Sequence, residues 1–378
     1  MTIQPSFLPL GFNKQRLVTL MHDQGIDALL LTSPEHVFYT TGFPGLFSSG
    51  NPILYGLRNV LPFFAFITHT GTVTLMCWGG AVSGVKYGAD EVLTYADISG
   101  AQSTLKRSVQ TYLQSGMRLG IESSTPYAVL RLLDGIISPK QITLADDLMM
   151  QLRAIKSSAE VSLLEKSINV VEQTVSELMD TVHLGMRRPA LMQAARTGML
   201  KHGASGISHI TISFGASNPE VEIDEELQRG KLVTLDLGAI VEGYYSDNRR
   251  LMYTSEVPAG ITALHETMCD ILNETASSLM PGVTFGAVYQ KAMQFYDRHK
   301  LNPFIPNIGH TIGMQVEEMW IYEKNSEVIF QPGMVLNLEM YALHETGELI
   351  GDEETYTITE NGYRQLTHLP TTIRRITH

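Results

Sequence analysis

Two apolar runs with strand character each carry a carboxylate where a buried strand should carry none: Leu232-Val233-Thr234-Leu235-Asp236-Leu237 and Val335-Leu336-Asn337-Leu338-Glu339-Met340-Tyr341-Ala342. Taking a carboxylate out of water is costly unless a cation or several hydrogen bonds compensate. A fold for this chain must therefore lead both acids to partners. Alone, Asp236 could cap a turn at a strand end, since aspartate commonly serves turns. Two buried strand acids ask for one explanation, and three further residues join them as candidates. His310, with glycines at 309 and 313, would by itself be a satisfied core or turn histidine. Glu353, within Asp352-Glu353-Glu354, would by itself be a solvated turn. Asp247 closes the segment Tyr245-Ser246-Asp247.

At 378 residues the chain exceeds the size at which one hydrophobic core usually keeps growing, so two domains are expected, at 1–152 and 153–378. The first reads as α/β. A helix over Asn13–Gln24 precedes a strand at Ala28–Leu31, and later a helix is expected around Gln102–Gln114, a strand at Arg118–Glu122 and a helix around Pro126–Gly135. Asn59 to Val85 contains no Asp, Glu, Lys or Arg and could span a bilayer by length. Thr68-His69-Thr70-Gly71 divides it into runs Phe63–Ile67 and Thr72–Trp78, which predicts a buried hairpin instead. The second domain opens on a capping box, Ser157 with Glu160, ahead of a long amphipathic helix. Helices are expected over Arg188–His202, Ile261–Leu279 and Phe285–His299, and strands at His209–Phe214, Leu232–Leu237, Met334–Ala342 and Glu354–Thr359. That order predicts α+β, with helices on an antiparallel sheet.

The formal net charge of −12 argues against capture of a phosphate backbone or an anionic membrane, so neither nucleic acid nor membrane is expected as a partner. Two cysteines, Cys77 and Cys269, are too few for a disulfide framework, and the start MTIQPSFLPLGFNK has no basic segment followed by an apolar one. A reducing cytoplasm is the expected compartment.

Together the candidate residues resemble the ligand set of the pita-bread metallopeptidases, the family of methionine aminopeptidase, prolidase and aminopeptidase P, with creatinase as a metal-free relative. The resemblance rests on Asp236-Leu237-Gly238, on Gly243 to Arg250, on Gly309-His310-Thr311-Ile312-Gly313, on Pro332-Gly333-Met334-Val335 with Glu339, and on Glu353-Glu354-Thr355. Thr32-Ser33-Pro34-Glu35 and Tyr39-Thr40-Thr41-Gly42 resemble the prolidase and aminopeptidase P branch. The resemblance implies a pita-bread catalytic domain behind a smaller creatinase-type α/β domain, in a homodimer. It implies two divalent metal ions, Asp236 on one, His310 and Glu339 on the other, Asp247 and Glu353 bridging, with Glu339 as general base. Oxygen-rich ligation with one imidazole suits manganese, with cobalt, iron or zinc as alternatives. The implied activity is hydrolysis of C–N bonds, as in an Xaa-Pro dipeptidase or aminopeptidase, on a dipeptide or small-molecule substrate.

The sequence departs from that family on the substrate side. Position 317 is glutamate where peptidases carry a histidine seven residues after the metal-binding one, and Trp320 replaces a proline. A second substrate-side histidine, expected about ten residues before Gly230-Lys231, is missing from the acidic stretch Pro219 to Glu226. An ionised Glu317 is a poor stabiliser of an oxyanion. Glu317, with Glu222, is therefore a candidate for facing a cationic substrate, and the alternative is that both acids are solvated or paired with Arg249 or Arg250. Arg58 is a candidate for reaching a neighbouring subunit's pocket, or else a surface ion pair. Competing functions are hydrolysis of a small cationic amide or amidine, a lyase of the same fold, and a non-catalytic scaffold.

Overall fold

The structure, a computed structural model, describes residues 6–114 and 116–376; the first five residues of the amino-terminal stretch lie outside it. The chain divides into two compact units, Met1–Arg153 and Ala154–His378.

In the first unit a short strand β1 (Ser6–Phe7) precedes helix α1 (Lys14–Asp23), capped by the Asn13 side chain, and strand β2 (Ala28–Leu31). Helix α2 (Pro34–Thr41) follows, with Ser33 as its cap, Pro34 in its first turn and Gly42 closing it at φ 75°. After α3 (Ile53–Leu57), strands β3 (Phe64–Thr68) and β4 (Val73–Trp78) pair antiparallel, so the uncharged stretch is a hairpin. No helix among the described residues is long and apolar enough to cross a membrane. Strands β5 (Lys86–Tyr87) and β6 (Glu91–Tyr95), helix α4 (Ile98–Tyr112), strand β7 (Leu119–Ile121), helix α5 (Tyr127–Leu132), strand β8 (Ile142–Leu144) and helix α6 (Asp146–Ala154) complete the series. Helix α4 begins four residues before the sequence reading because Asp97 accepts a hydrogen bond from the Gly100 amide and starts the turn there. The six-stranded sheet runs β6-β4-β3-β2-β7-β8 and mixes parallel with antiparallel pairs.

The second unit opens on helix α7 (Ser158–Thr181), where the Ser157 and Glu160 side chains cap each other's backbone. Helix α8 (Arg188–Lys201) leads into β9 (Gly206–Phe214), and β10 (Leu232–Val241), β11 (Tyr244–Tyr245) and β12 (Asn248–Tyr253) follow. Helices α9 (Ala259–Ala276) and α10 (Phe285–Arg298) separate these from β13 (Gly309–Thr311), β14 (Val335–Glu339), the small pair β15 (Ala342–Leu343) and β16 (Leu349–Ile350), β17 (Glu353–Thr359), β18 (Gly362–Gln365) and β19 (Arg374–Arg375). Two sheets result. In one, β10 lies between β9 and β12, antiparallel to both, and β19 extends the far side of β12 in parallel. The other runs β13-β14-β17-β18, antiparallel throughout. Leu336, Leu338, Tyr356 and Ile358 from the second sheet pack with Ile271, Phe285, Val288 and Tyr296 from α9 and α10 in one core.

Candidate metal centre

Strand β10 is paired on both edges and buried along nearly its whole length, so side chains on both faces are mostly apolar and Asp236 is exceptional. Asp236 lies opposite Arg249 of β12 and Thr211 of β9. It is thus a mid-strand acid, and the turn-cap alternative fails because ladder partners flank it on both sides. Asp247 stands at the entrance to β12. On the other sheet, Glu339 ends β14 directly opposite Glu353, the first residue of β17. Glu353 is 2% exposed, and its neighbours Asp352 and Glu354 are also buried, so this acidic run is not a solvated turn. Arg250 explains one of them, since its guanidinium donates to Glu354 at 2.7 Å. His310 on β13 faces Asn337 across the ladder.

These residues are linked directly or through one neighbouring side chain. His310 Nε2 lies 3.4 Å from Asp247 Oδ2. Asn337 Nδ2 donates to Glu353 Oε2 at 3.2 Å, and the Tyr341 hydroxyl lies 3.2 Å from Glu339 Oε2 and closer still to Glu353 Oε1. Two glycines make the approaches possible. A Cβ at Gly309, whose φ is 140°, would come 2.1 Å from the Asn337 carbonyl oxygen. A Cβ at Gly238 would stand 2.4 Å from the ring of His209.

His209 was not among the candidates from sequence. Its Nε2 lies 3.1 Å from Asp236 Oδ1 and 3.2 Å from Asp247 Oδ1, so one imidazole spans two of the predicted acids. The available signal was the one that singled out Asp236, an ionisable side chain inside a β-branched run, here Ile207-Ser208-His209-Ile210-Thr211-Ile212. It was obscured because the missing histidine was expected nearer Gly230, and this one is on the preceding strand.

The electrostatics follow from four carboxylates in little water. Burial pushes the Glu353 carboxyl well above its ordinary range, and the charges of Asp236, Asp247 and Glu339 add to the effect. Burial also raises Glu339, to about 7, against an opposing pull from His310. Asp247 goes the other way: burial would raise it, but contacts with His209 and His310 hold it well below the carboxylate range. Burial disfavours a charged His310, yet Asp247 outweighs it and raises the imidazole to about 9. His209 is likewise raised well above its usual value, burial being overcome by Asp247 and Asp236. Like charges set opposite each other in a ladder are destabilising. A divalent pair would relieve that repulsion. His310 Nε2 gives an independent test: it is fully buried, and Asp247 Oδ2, 3.4 Å away, is not placed to hydrogen-bond it. A buried imidazole nitrogen that faces a carboxylate without a well-formed hydrogen bond fits a metal-binding role, and the oxygen-rich donor set fits manganese, cobalt, iron or zinc.

The other candidates stand apart or at the rim. Glu317 is exposed, accepts the Trp320 indole N–H at 2.6 Å, and contributes charge that raises both His310 and Glu339. Its pairing with Arg249 or Arg250 is not seen, because Arg249 serves Asp236 and the carbonyls of Leu349 and Gly351 while Arg250 serves Glu354. Glu222 is exposed on the segment after β9, whose backbone is gripped by the buried guanidinium of Arg188 through the carbonyls of Asn218, Pro219 and Val221. Among the described residues Arg58 forms no ion pair; it folds over the Tyr55 ring at 3.8 Å and donates to the Tyr55 carbonyl, closing α3.

The model of metallopeptidase family M24 matches residues 162–360, and that of the creatinase/prolidase N-terminal domain matches 14–155. The chain belongs to metallopeptidase family M24. Its second unit is accordingly the pita-bread catalytic domain and its first the creatinase-type α/β domain. Among M24 relatives, the uncharacterised peptidase YqhT of Bacillus subtilis is 27% identical over 372 residues, covering 94% of this chain and 98% of its own length. An Xaa-Pro dipeptidase of Pyrococcus horikoshii is 27% identical over 256 residues, 66% of this chain and 72% of its own. The prolidase structure from Pyrococcus horikoshii OT3 superposes with a TM-score of 0.80 at 22% identity, covering 95% of this chain and 99% of that one. The X-Pro aminopeptidase structure from Thermotoga maritima gives 0.77 at 21% identity, covering 96% and 99%. M24 membership makes the protein a peptidase-like hydrolase of a family that depends on two metal ions.

Proposed function

We propose that the chain is a dinuclear metal-dependent hydrolase of C–N bonds acting on Xaa-Pro peptides, with Asp236, Asp247, His310, Glu339 and Glu353 as ligands. One observation carries the reading: Asp236, Asp247, Glu339 and Glu353 lie close enough to raise the buried Glu353 carboxyl together, and the buried His310 nitrogen faces Asp247 without a well-formed hydrogen bond, within a chain of family M24. Two divalent ions held there would lower the pKa of water and polarise a scissile carbonyl. Glu339 takes the proton at a carboxylate oxygen and returns it to the leaving nitrogen, while the Tyr341 hydroxyl orients Glu339 and Glu353. Asn337 fixes the second oxygen of Glu353. His209 belongs to the same donor set through its contacts with Asp236 and Asp247. The proposal includes manganese as the metal, a homodimer and a cytoplasmic setting.

A second reading concerns the substrate. Glu317 in place of the expected histidine, charged and within electrostatic reach of His310 and Glu339, favours a substrate bearing a cationic group near the cleaved bond. It is the same hydrolytic chemistry with a different selectivity. The test is metal analysis of the purified protein with turnover of an Xaa-Pro panel, including Lys and Arg residues beside the scissile bond, with and without manganese. About two metals per chain with proline-dependent cleavage supports the proposal. Metal without any C–N cleavage across dipeptides, amides and amidines defeats it. Loss of the preference for cationic substrates in Glu317→Gln, with other substrates unaffected, supports the second reading.

A further inference from the structure

A second group of donors lies within the catalytic domain, away from the acids above in its chemistry and adjoining them in sequence. Helix α9 places His265 and Cys269 one turn apart, on the same face. Both meet Asp352, which immediately precedes β17. His265 Nε2 is 2.5 Å from Asp352 Oδ2, Cys269 Sγ is 3.7 Å from His265 Nε2, and Cys269 Sγ is 3.8 Å from Asp352 Oδ2.

Two arrangements could explain such a trio. A nucleophilic thiol would need the imidazole to bond sulfur through one nitrogen and the carboxylate through the other. Here sulfur and carboxylate both converge on Nε2, so the relay geometry is not present. Convergence of all three donor atoms on one point is instead what a metal ion requires. In a tetrahedral zinc site the donor atoms stand about 3.3–3.6 Å apart, from bond lengths near 2.0–2.3 Å. The two sulfur distances are already close to that, and the His265–Asp352 separation would open by about 0.8 Å as the ion replaced the shared proton.

An independent observation points to a ligand. Asp352 is 3% exposed, and its second oxygen, Oδ1, is buried with no hydrogen-bond partner. Its side chain and Cys269 also line a cavity of about 360 Å³, together with Glu354, Gln365, Thr367 and His368. The cavity gives an ion a way in and room for a water as fourth ligand.

We propose that His265, Cys269 and Asp352 form a mononuclear site for a borderline-soft divalent cation of the zinc type. Binding releases two protons, one from the Cys269 thiol and one held between His265 and Asp352. The ion ties α9 to the residue before Glu353, and so has a structural role on the strand that carries a candidate catalytic ligand. This site does not depend on the hydrolase assignment.

The test is a cobalt(II) titration of the full-length, manganese-loaded protein, followed in the near ultraviolet. Only a thiolate gives an intense ligand-to-cobalt band there, and the dinuclear candidate residues contain no sulfur. The expected result is a band that saturates near one cobalt per chain, disappears on addition of zinc, and is lost in Cys269→Ser. His265→Gln should weaken cobalt binding at least tenfold while the far-ultraviolet spectrum stays native. No band in the wild-type protein, or an undiminished band in Cys269→Ser, overturns the proposal; the latter would assign the sulfur to Cys77, which is buried on β4.

Discussion

Lys156→Met should unsettle the catalytic domain far more than the loss of one charge would suggest. Lys156 Nζ sits 2.8 Å from Glu318 Oε2, and each side chain is 1% exposed. Glu318 Oε1 also accepts the Met314 amide at 3.2 Å, so the pair anchors the segment between His310 and Trp320. At 2.8 Å and an effective dielectric near 20, the two charges attract by about 6 kcal/mol. Desolvation of both ions offsets most of that, so the intact pair adds little net stability. Removing lysine alone takes a cation away from a buried carboxylate, which costs about 3–5 kcal/mol. Lys156→Met with Glu318→Leu should return to within about 1–2 kcal/mol of the parent, since an apolar pair carries no desolvation penalty. The protein has two tryptophans, so in a Trp78→Phe background Trp320 reports on this segment directly during urea unfolding. A loss below about 1 kcal/mol for Lys156→Met, as for an exposed pair, would refute the reasoning; so would strictly additive single and double variants.

Three further outcomes are expected. Glu122 is buried, which would raise its carboxyl, but hydrogen bonds and charge from His36, then Ser33 and Thr32, depress it to about 2. Its folded pKa lies below the unfolded one, so its contribution of about 3 kcal/mol is complete above about pH 4.5 and is lost as pH falls towards 2; a urea series across that window should show the loss, and Glu122→Gln should flatten it. His209→Ala should lower metal affinity or turnover about 10–100-fold, measured by competition with a chelating dye, whereas an unchanged affinity would remove His209 from the donor set. Manganese at about a hundred times its Kd should raise unfolding stability by about 2.7 kcal/mol, an increment that Glu353→Ala should abolish.

Much of this was legible because the physics is local. Ser157 and Glu160 announce the start of α7, and a turn between two β-prone runs gives the β3–β4 hairpin despite its membrane-like length. The acids could be picked out because a charged side chain in an apolar run has few explanations. What escaped was set by pairing between distant segments. That Asp236 is a mid-strand residue depends on β9 and β12 lying on both its sides. Glu353 is dark to solvent because β17 starts earlier than its composition predicts, opposite Glu339. His209 and the trio around Asp352 became visible only when strands and a helix far apart in sequence met.

The donor atoms of the dinuclear candidate site are distributed over two sheets, on segments reaching from His209 to Glu353, with two helices between them. Contacts this distant in sequence close late, after most of the loop entropy has been lost. A partly folded chain can therefore present one acid or two, but not the complete set. Under the proposed ligand set, capture of metal would be a signature of finished topology: chains whose sheets have docked in the correct register would be held by the ions, and misassembled ones would stay open to unfolding and proteolysis.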